Sequence, residues 1–192
     1  MSVRLVLLGA PGAGKGTQAE RLSQALGVPA ISTGDIFRRN VAERTELGQR
    51  AQRYMDAGEY VPDEVTNDMV DDRLSQADAA NGFLLDGYPR TIEQVRALDD
   101  MLSAQGHQLD VVVELTVDTE AVVQRLLGRA QEQGRSDDTD VVIRRRLEVY
   151  EEQTAPLAEH YHQRGLLVRV DGMGEISEVT QRLLEALAPW TS

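Results

Sequence analysis

The chain has 192 residues, enough for one well-packed domain with small appendages and too few for a second full one. Its 20 basic and 32 acidic residues give a formal net charge of −12, which argues against nucleic acid as partner, since a polyanion needs a broad basic surface. No cysteine is present, which excludes disulfides, thiolate catalysis and cysteine-ligated zinc. The apolar runs are strand-length at most, so neither a membrane span nor a signal segment is expected, and a cytoplasmic location follows as the expectation.

Val3 to Leu8 is apolar enough for a buried parallel strand. It leads into Gly9-Ala10-Pro11-Gly12-Ala13-Gly14-Lys15-Gly16-Thr17, and Ala19, Leu22 and Leu26 then fall on one face of a helix. Strand, glycine loop and helix form a phosphate loop, in which successive backbone N–H groups and the helix N-terminus cradle phosphate oxygens. Lys15 is the single lysine of the chain, and every other basic residue is arginine. A compact ammonium on a flexible stem is therefore kept where a planar guanidinium would not serve. The usual pattern places Ser or Thr directly after the lysine to ligate magnesium; here Gly16 intervenes before Thr17. The metal is then expected on substrate phosphates and water, with carboxylates in the outer shell.

A short extended piece follows at Pro29 to Ser32, then helical stretches between Asp35 and Ala57, and a helix holding Val65, Met69 and Val70. The segment from about Ser32 to Val61 interrupts the alternation of strand and helix and reads as a small helical insertion. Gly82-Phe83-Leu84-Leu85 is a buried strand that delivers Asp86 to its carboxyl end, and Ile92, Val95, Leu98 and Leu102 mark the next helix. An Asp before Gly would ordinarily be a turn residue. Beside a phosphate loop, an Asp at a strand end faces the metal–phosphate complex. Val111 to Leu115 is a strand, followed by a helix with Val122 and Leu126. A long helical stretch spans about Thr139 to Arg164 with a bend expected at Pro156. Leu166 to Val170 forms the last strand, and Ile176, Val179, Leu183 and Leu187 the closing helix. The order predicts an α/β fold: a parallel sheet with helices on both faces.

Among Arg144, Arg145 and Arg146, a run that would usually be a solvated face, only Arg146 lies beside the apolar stripe of Ile143, Leu147 and Tyr150. Arg144 and Arg145 are expected to point away. Arg125 and Arg129 are four apart on one helical face, a spacing that suits a two-pronged phosphate clamp. Arg38 could simply pair with Asp35 three residues back. His107, His160 and His162 lie outside every motif and read as ordinary surface residues.

Taken in order, the phosphate loop, Ser32-Thr33-Gly34-Asp35, Asp86-Gly87-Tyr88-Pro89-Arg90-Thr91, Gly128-Arg129 and Gly134-Arg135-Ser-Asp-Asp resemble the adenylate kinases over essentially the whole chain. The resemblance implies a phosphate-loop NTPase fold with a five-stranded parallel core (1–31, 62–127 and 139–192), a monophosphate-binding segment (32–61) and a lid (128–138). The lid is of the short form, with only Ala130 to Gly134 between Arg129 and Arg135. It implies Mg·ATP + AMP ⇌ 2 ADP by direct in-line transfer, with Mg2+ as cofactor, ATP, AMP and ADP as nucleotides, and a monomer. Carried over, Gly12, Ala13, Gly14, Lys15, Gly16 and Thr17 would hold ATP with Arg125, Arg129 and the backbone at Gly174. Thr33, Arg38, the backbone of Glu59, Tyr60 and Val61, then Gly87, Tyr88, Pro89, Arg90 and Gln94 would hold AMP. Arg135 and Arg146 would bridge toward the transferred group, so that Lys15, Arg90, Arg129, Arg135 and Arg146 form the catalytic set, with Asp86 in the metal's outer shell. Two departures from the family's pattern are Tyr88, where Phe is usual, and Tyr60, where Leu is common.

A UMP/CMP kinase shares these features, but Gln94 favours adenine, because an amide can donate to one edge atom and accept from the exocyclic amine together. A GTPase switch needs a second lysine for its guanine-reading element, and none exists. A non-catalytic ATP-binding regulator would be expected to have lost part of the catalytic set.

Overall fold

The computed structural model describes residues 2–134 and 139–191. Five parallel strands form one sheet: β1 (Arg4–Leu8), β2 (Ala30–Ser32), β3 (Phe83–Asp86), β4 (Val111–Thr116) and β5 (Leu167–Asp171), in the order β2-β3-β1-β4-β5. β1 sits at the centre, with Leu5 opposite both Leu84 of β3 and Val111 of β4. The sheet order reverses direction around β1, and loops at the carboxyl ends of such strands open a crevice for ligands. Both the glycine loop after β1 and Asp86 at the end of β3 face that crevice.

Pleating divides the apolar run of β1 between two cores. Leu5 and Leu7 join Leu22 of α1 (Lys15–Leu26) and Leu183 and Leu187 of α9 (Ile176–Thr191) on one face. Val6 and Leu8 join Val70 of α4 (Asp63–Leu74), Val95 and Leu98 of α5 (Ile92–Ala104) and Leu157 of α8 (Ala155–Gln163) on the other. This two-faced burial is why the strands read as continuous apolar runs rather than alternating ones.

The segment read as an insertion carries two helices, α2 (Thr33–Ala42) and α3 (Glu46–Asp56), around a small core of Phe37, Ala51 and Val61. α6 (Thr119–Gln133) runs without interruption through Gly128, so residues 128–133 of the expected lid are the last turns of that helix, and Gly134 ends it in a left-handed conformation. After α7 (Asp140–Val149) the irregularity takes the form of a π-helical turn at Tyr150–Thr154, directly before Pro156 in the first turn of α8. Two readings are corrected. Ile92 and Ile176, placed in core stripes by periodicity, are 38% and 50% exposed, because each lies in the first turn of its helix, beyond the sheet.

Candidate active site

The crevice holds two adjoining cavities. The first is lined by Thr33, Phe37, Arg38, Met55, Glu59, Tyr60, Val61, Gly87, Pro89, Arg90, Gln94, Arg146 and Thr154 among others. The second is lined by the glycine loop from Pro11 to Thr17, by Asp86, Arg125, Arg129 and Gly174, and by Ile176 and Val179. Lys15, Arg38, Arg90 and Arg146 line both. A row of cations thus stands on the boundary, where a group passing from one cavity to the other would be met by positive charge throughout.

The loop owes its path to glycine. Gly12 has φ 84°, and a Cβ there would stand 2.9 Å from Leu126 Cγ and 3.0 Å from the Val122 carbonyl oxygen, so the loop lies directly against α6. Lys15 Nζ donates to the carbonyl oxygens of Gly9 (2.8 Å) and Ala10 (3.2 Å), folding back along its own loop. Its pKa is pulled down to about 8, first by desolvation and then by Arg90, Arg146 and Arg129, against the pull of Asp86. Arg125 donates to the Ala13 and Gly172 carbonyl oxygens (3.3 and 3.4 Å), tying α6 to the loop. A Cβ at Gly16 would lie 3.9 Å from Asp86 Oδ2, so the glycine opens onto that carboxylate.

The first cavity is braced by hydrogen bonds. Thr33 Oγ1 donates to the Gly87 carbonyl oxygen (2.8 Å), as does Arg90 Nε (2.6 Å). Gln94 is 1% exposed, and its Oε1 accepts from the Arg90 backbone N–H at 2.7 Å. Thr91 caps α5 by accepting the Gln94 N–H (3.2 Å), which would make Gln94 an ordinary capping-box residue; its side chain instead takes the N–H one residue before the cap. Arg38 pairs with Asp35 and also borders both cavities, so the ion pair does not remove it from the crevice.

Among the described residues, most of those expected come together here, and Tyr88 does not. Arg135 lies outside the described residues. Tyr88 is 1% exposed and borders neither cavity; its hydroxyl donates to Asn67 Oδ1 (2.7 Å), so the ring that stands in place of Phe is packed between α4 and α5. Arg145 is a correction of another kind. It does not point away but donates to Glu59 Oε1 at 2.6 Å, joining α7 to the insertion, because one further residue around the helix turns it toward the insertion's exit.

Tyr60 and Thr154 form a link that periodicity could not show. Thr154 Oγ1 donates to the Arg90 carbonyl oxygen (2.7 Å), which commits its single proton, so the Tyr60 hydroxyl is the donor in their 2.6 Å contact. The Arg90 guanidinium carbon lies 5.1 Å from the Tyr60 ring centroid, within cation–π range. Thr154 carries no motif; only the Pro two residues later hinted at irregularity there.

A parallel sheet with a glycine loop at its switch point, and two cavities meeting on arginines and a lysine, defines a phosphate-loop nucleotide-binding protein. A family profile described as adenylate kinase matches residues 7–166. Adenylate kinases of Kocuria rhizophila, Nocardioides sp. and Renibacterium salmoninarum are 64%, 62% and 60% identical to it, each over 96% of this chain and 98%, 97% and 95% of their own. The chain belongs to the adenylate kinase family.

Proposed function

We propose that ATP occupies the cavity of the glycine loop, AMP the braced cavity, and that the terminal phosphoryl group crosses between them at Lys15, Arg90 and Arg146. The activity is reversible phosphoryl transfer from ATP to AMP, giving two ADP. The observation that supports the site reading is the shared lining: among the described residues the two cavities meet on Lys15, Arg38, Arg90 and Arg146 with Pro11, Gly34 and Gly87, and on no carboxylate or histidine to serve as a general base. None is needed. A nucleotide monophosphate has a second pKa of about 6 and already attacks as an anion at neutral pH. The residues contribute alignment and charge neutralisation, the two effects that dominate phosphoryl transfer.

Arg129 and Arg125 hold the outer ATP phosphates in this reading, and the backbone at Gly174 with Ile176 borders the adenine. Gln94 reads the AMP base with its remaining N–H and lone pair, and Thr33, Arg38 and the backbone of Glu59 to Val61 enclose the rest. Arg135 completes the set as a proposal from the family pattern. Mg2+ fits as a cation brought in by the nucleotide. Among the described residues no cluster of three His, Asp or Glu could hold it alone, and Asp86, 8% exposed beside Gly16, would accept from its waters. Bound there, the metal would neutralise charge on the phosphates. The protein acts in this proposal as a cytoplasmic monomer.

A coupled assay of ADP formation with AMP, UMP and CMP as acceptors tests the assignment. AMP is expected to be used with strong preference; equal use of UMP would overturn the role given to Gln94. Sedimentation at assay concentration tests the monomer.

A further inference from the structure

Gln94 holds an amide at the edge of the AMP cavity, and an amide can face a base in two orientations related by a flip. Adenine offers an acceptor ring nitrogen beside a donor amine. A 6-keto purine such as hypoxanthine offers the reverse, a donor ring N–H beside an acceptor oxygen. The same glutamine satisfies either base by turning its amide over. Discrimination therefore requires something that prevents the turn.

The structure supplies it. Gln94 Oε1 accepts from the Arg90 backbone N–H at 2.7 Å, and a backbone N–H can only donate. Gln94 Nε2 donates to Asp63 Oδ1 at 2.8 Å, and a carboxylate can only accept. Both neighbours impose the same orientation, whichever way an isolated amide might be drawn. Asp63 stands in the first turn of α4, borders neither cavity, and is itself held by the Thr91 hydroxyl, which donates to the same Oδ1 at 3.0 Å. It touches no base. Turning the amide would set Oε1 against the carboxylate and Nε2 against the Arg90 N–H in a site from which water is excluded, Gln94 being 1% exposed.

We propose that Asp63 is a specificity-determining positioning residue: by fixing the flip state of Gln94 it makes the AMP cavity reject 6-keto purine monophosphates. This rests on the reading of Gln94 as the group that meets the acceptor base. The test is the ratio of kcat/KM for AMP to that for inosine monophosphate in the full chain, with KM for ATP measured alongside. Asp63→Asn has the same shape, but its own amide can turn to present either an oxygen or an N–H to Gln94. It is expected to lower the ratio about tenfold, mainly by raising use of inosine monophosphate, because one of two mismatched contacts in the flipped state disappears. Asp63→Ala, which removes the acceptor altogether, is expected to narrow the ratio too, while raising KM for AMP. KM for ATP should hold steady in both.

A support role without specificity would weaken both substrates alike and leave the ratio unchanged, and that result would overturn the proposal. If Gln94→Ala collapses the ratio while both Asp63 variants keep it, the lock is wrong and Gln94 remains the reader. If Gln94→Ala keeps the ratio as well, the reading of Gln94 is wrong and the inference falls with it.

Discussion

The two cavities solve recognition by different means. Around the cavity proposed for AMP the groups are already bonded to one another: Thr33 and Arg90 to Gly87, Gln94 to Arg90 and Asp63, Tyr60 to Thr154. Their walls are buried, with Thr33, Phe37 and Val61 all under a tenth exposed. The cavity proposed for ATP is lined instead by loop backbone and by arginines from α6, and its apolar border includes Ile176, half exposed. A braced wall can reject a wrong base, since a mismatched ligand strands polar groups that cannot relax. A wall of backbone N–H groups and cations grips phosphate, which every nucleoside triphosphate carries. The acceptor side is therefore expected to be the selective one and the donor side the more permissive.

The largest effect falls on the boundary both cavities share. Lys15→Ala should lower kcat on the order of 10²–10³-fold, the size seen when a donor to developing charge is removed. Nucleotide affinity, measured by calorimetry, should fall much less, because the ammonium serves the charge as it moves. Lys15→Arg should not restore turnover, the guanidinium being planar and longer; near-normal activity would mean that the site needs only positive charge. Next comes the selective side. Gln94→Ala should reduce kcat/KM for AMP by about 5–150-fold, equivalent to about 1–3 kcal/mol of stranded hydrogen-bonding groups. KM for ATP should be unchanged, and an equal loss for both nucleotides would erase the contrast between the cavities.

A smaller effect is expected from Tyr60→Leu, which removes both the ring beneath Arg90 and the hydroxyl on Thr154. A cation–π contact of about 0.5–1 kcal/mol corresponds to a few-fold rise in KM for AMP, and Tyr60→Phe should recover the part owed to the ring. Steady-state kinetics of the pair separates the two contributions.

The donor side should also be marked by a proton. Lys15 has its pKa lowered from 10.5 to about 8 in the free protein, and phosphates placed against it favour the charged form. At pH 8.5 ATP binding should take up a proton, and affinity should decline as pH rises through 8 and above. The sign for folding is the opposite of the usual lysine case. The unfolded chain holds more protons between pH 8 and 10.5, so this group makes stability rise with pH across that window. Calorimetry in buffers of different ionisation enthalpy detects the uptake, and Lys15→Met should abolish it. The smallest effect belongs to Arg145–Glu59. Each side chain is 38% exposed, so Glu59→Gln should cost at most about 1 kcal/mol in thermal unfolding.

Much of this molecule is local in sequence. Apolar runs too continuous for a one-faced sheet announced buried parallel strands, and the glycine loop between strand and helix announced a phosphate site with its lysine. Thr33 and Arg90 were legible through ordered motifs at strand ends, Arg146 through the apolar stripe of its helix, and Gln94 through the family resemblance. These features depend on neighbours a few residues away, and short-range periodicity records them. What periodicity could not record are bonds between distant segments. Gln94 and Asp63 are 31 residues apart, Arg145 and Glu59 86, and Tyr60 and Thr154 94. Nothing in Asp63 distinguishes it from an ordinary first-turn acid of α4, and nothing in Arg145 from a solvated charge. Gly58 makes the same point in backbone form: at φ 73° a Cβ there would stand 2.9 Å from the Val142 carbonyl oxygen, a closeness created only when α7 packs on the insertion. The sequence by itself determined the sheet, the loop and the chemistry of phosphate. Tertiary packing decided which polar groups face one another across the crevice, because a hydrogen bond's partner is chosen by position in space and not by position along the chain.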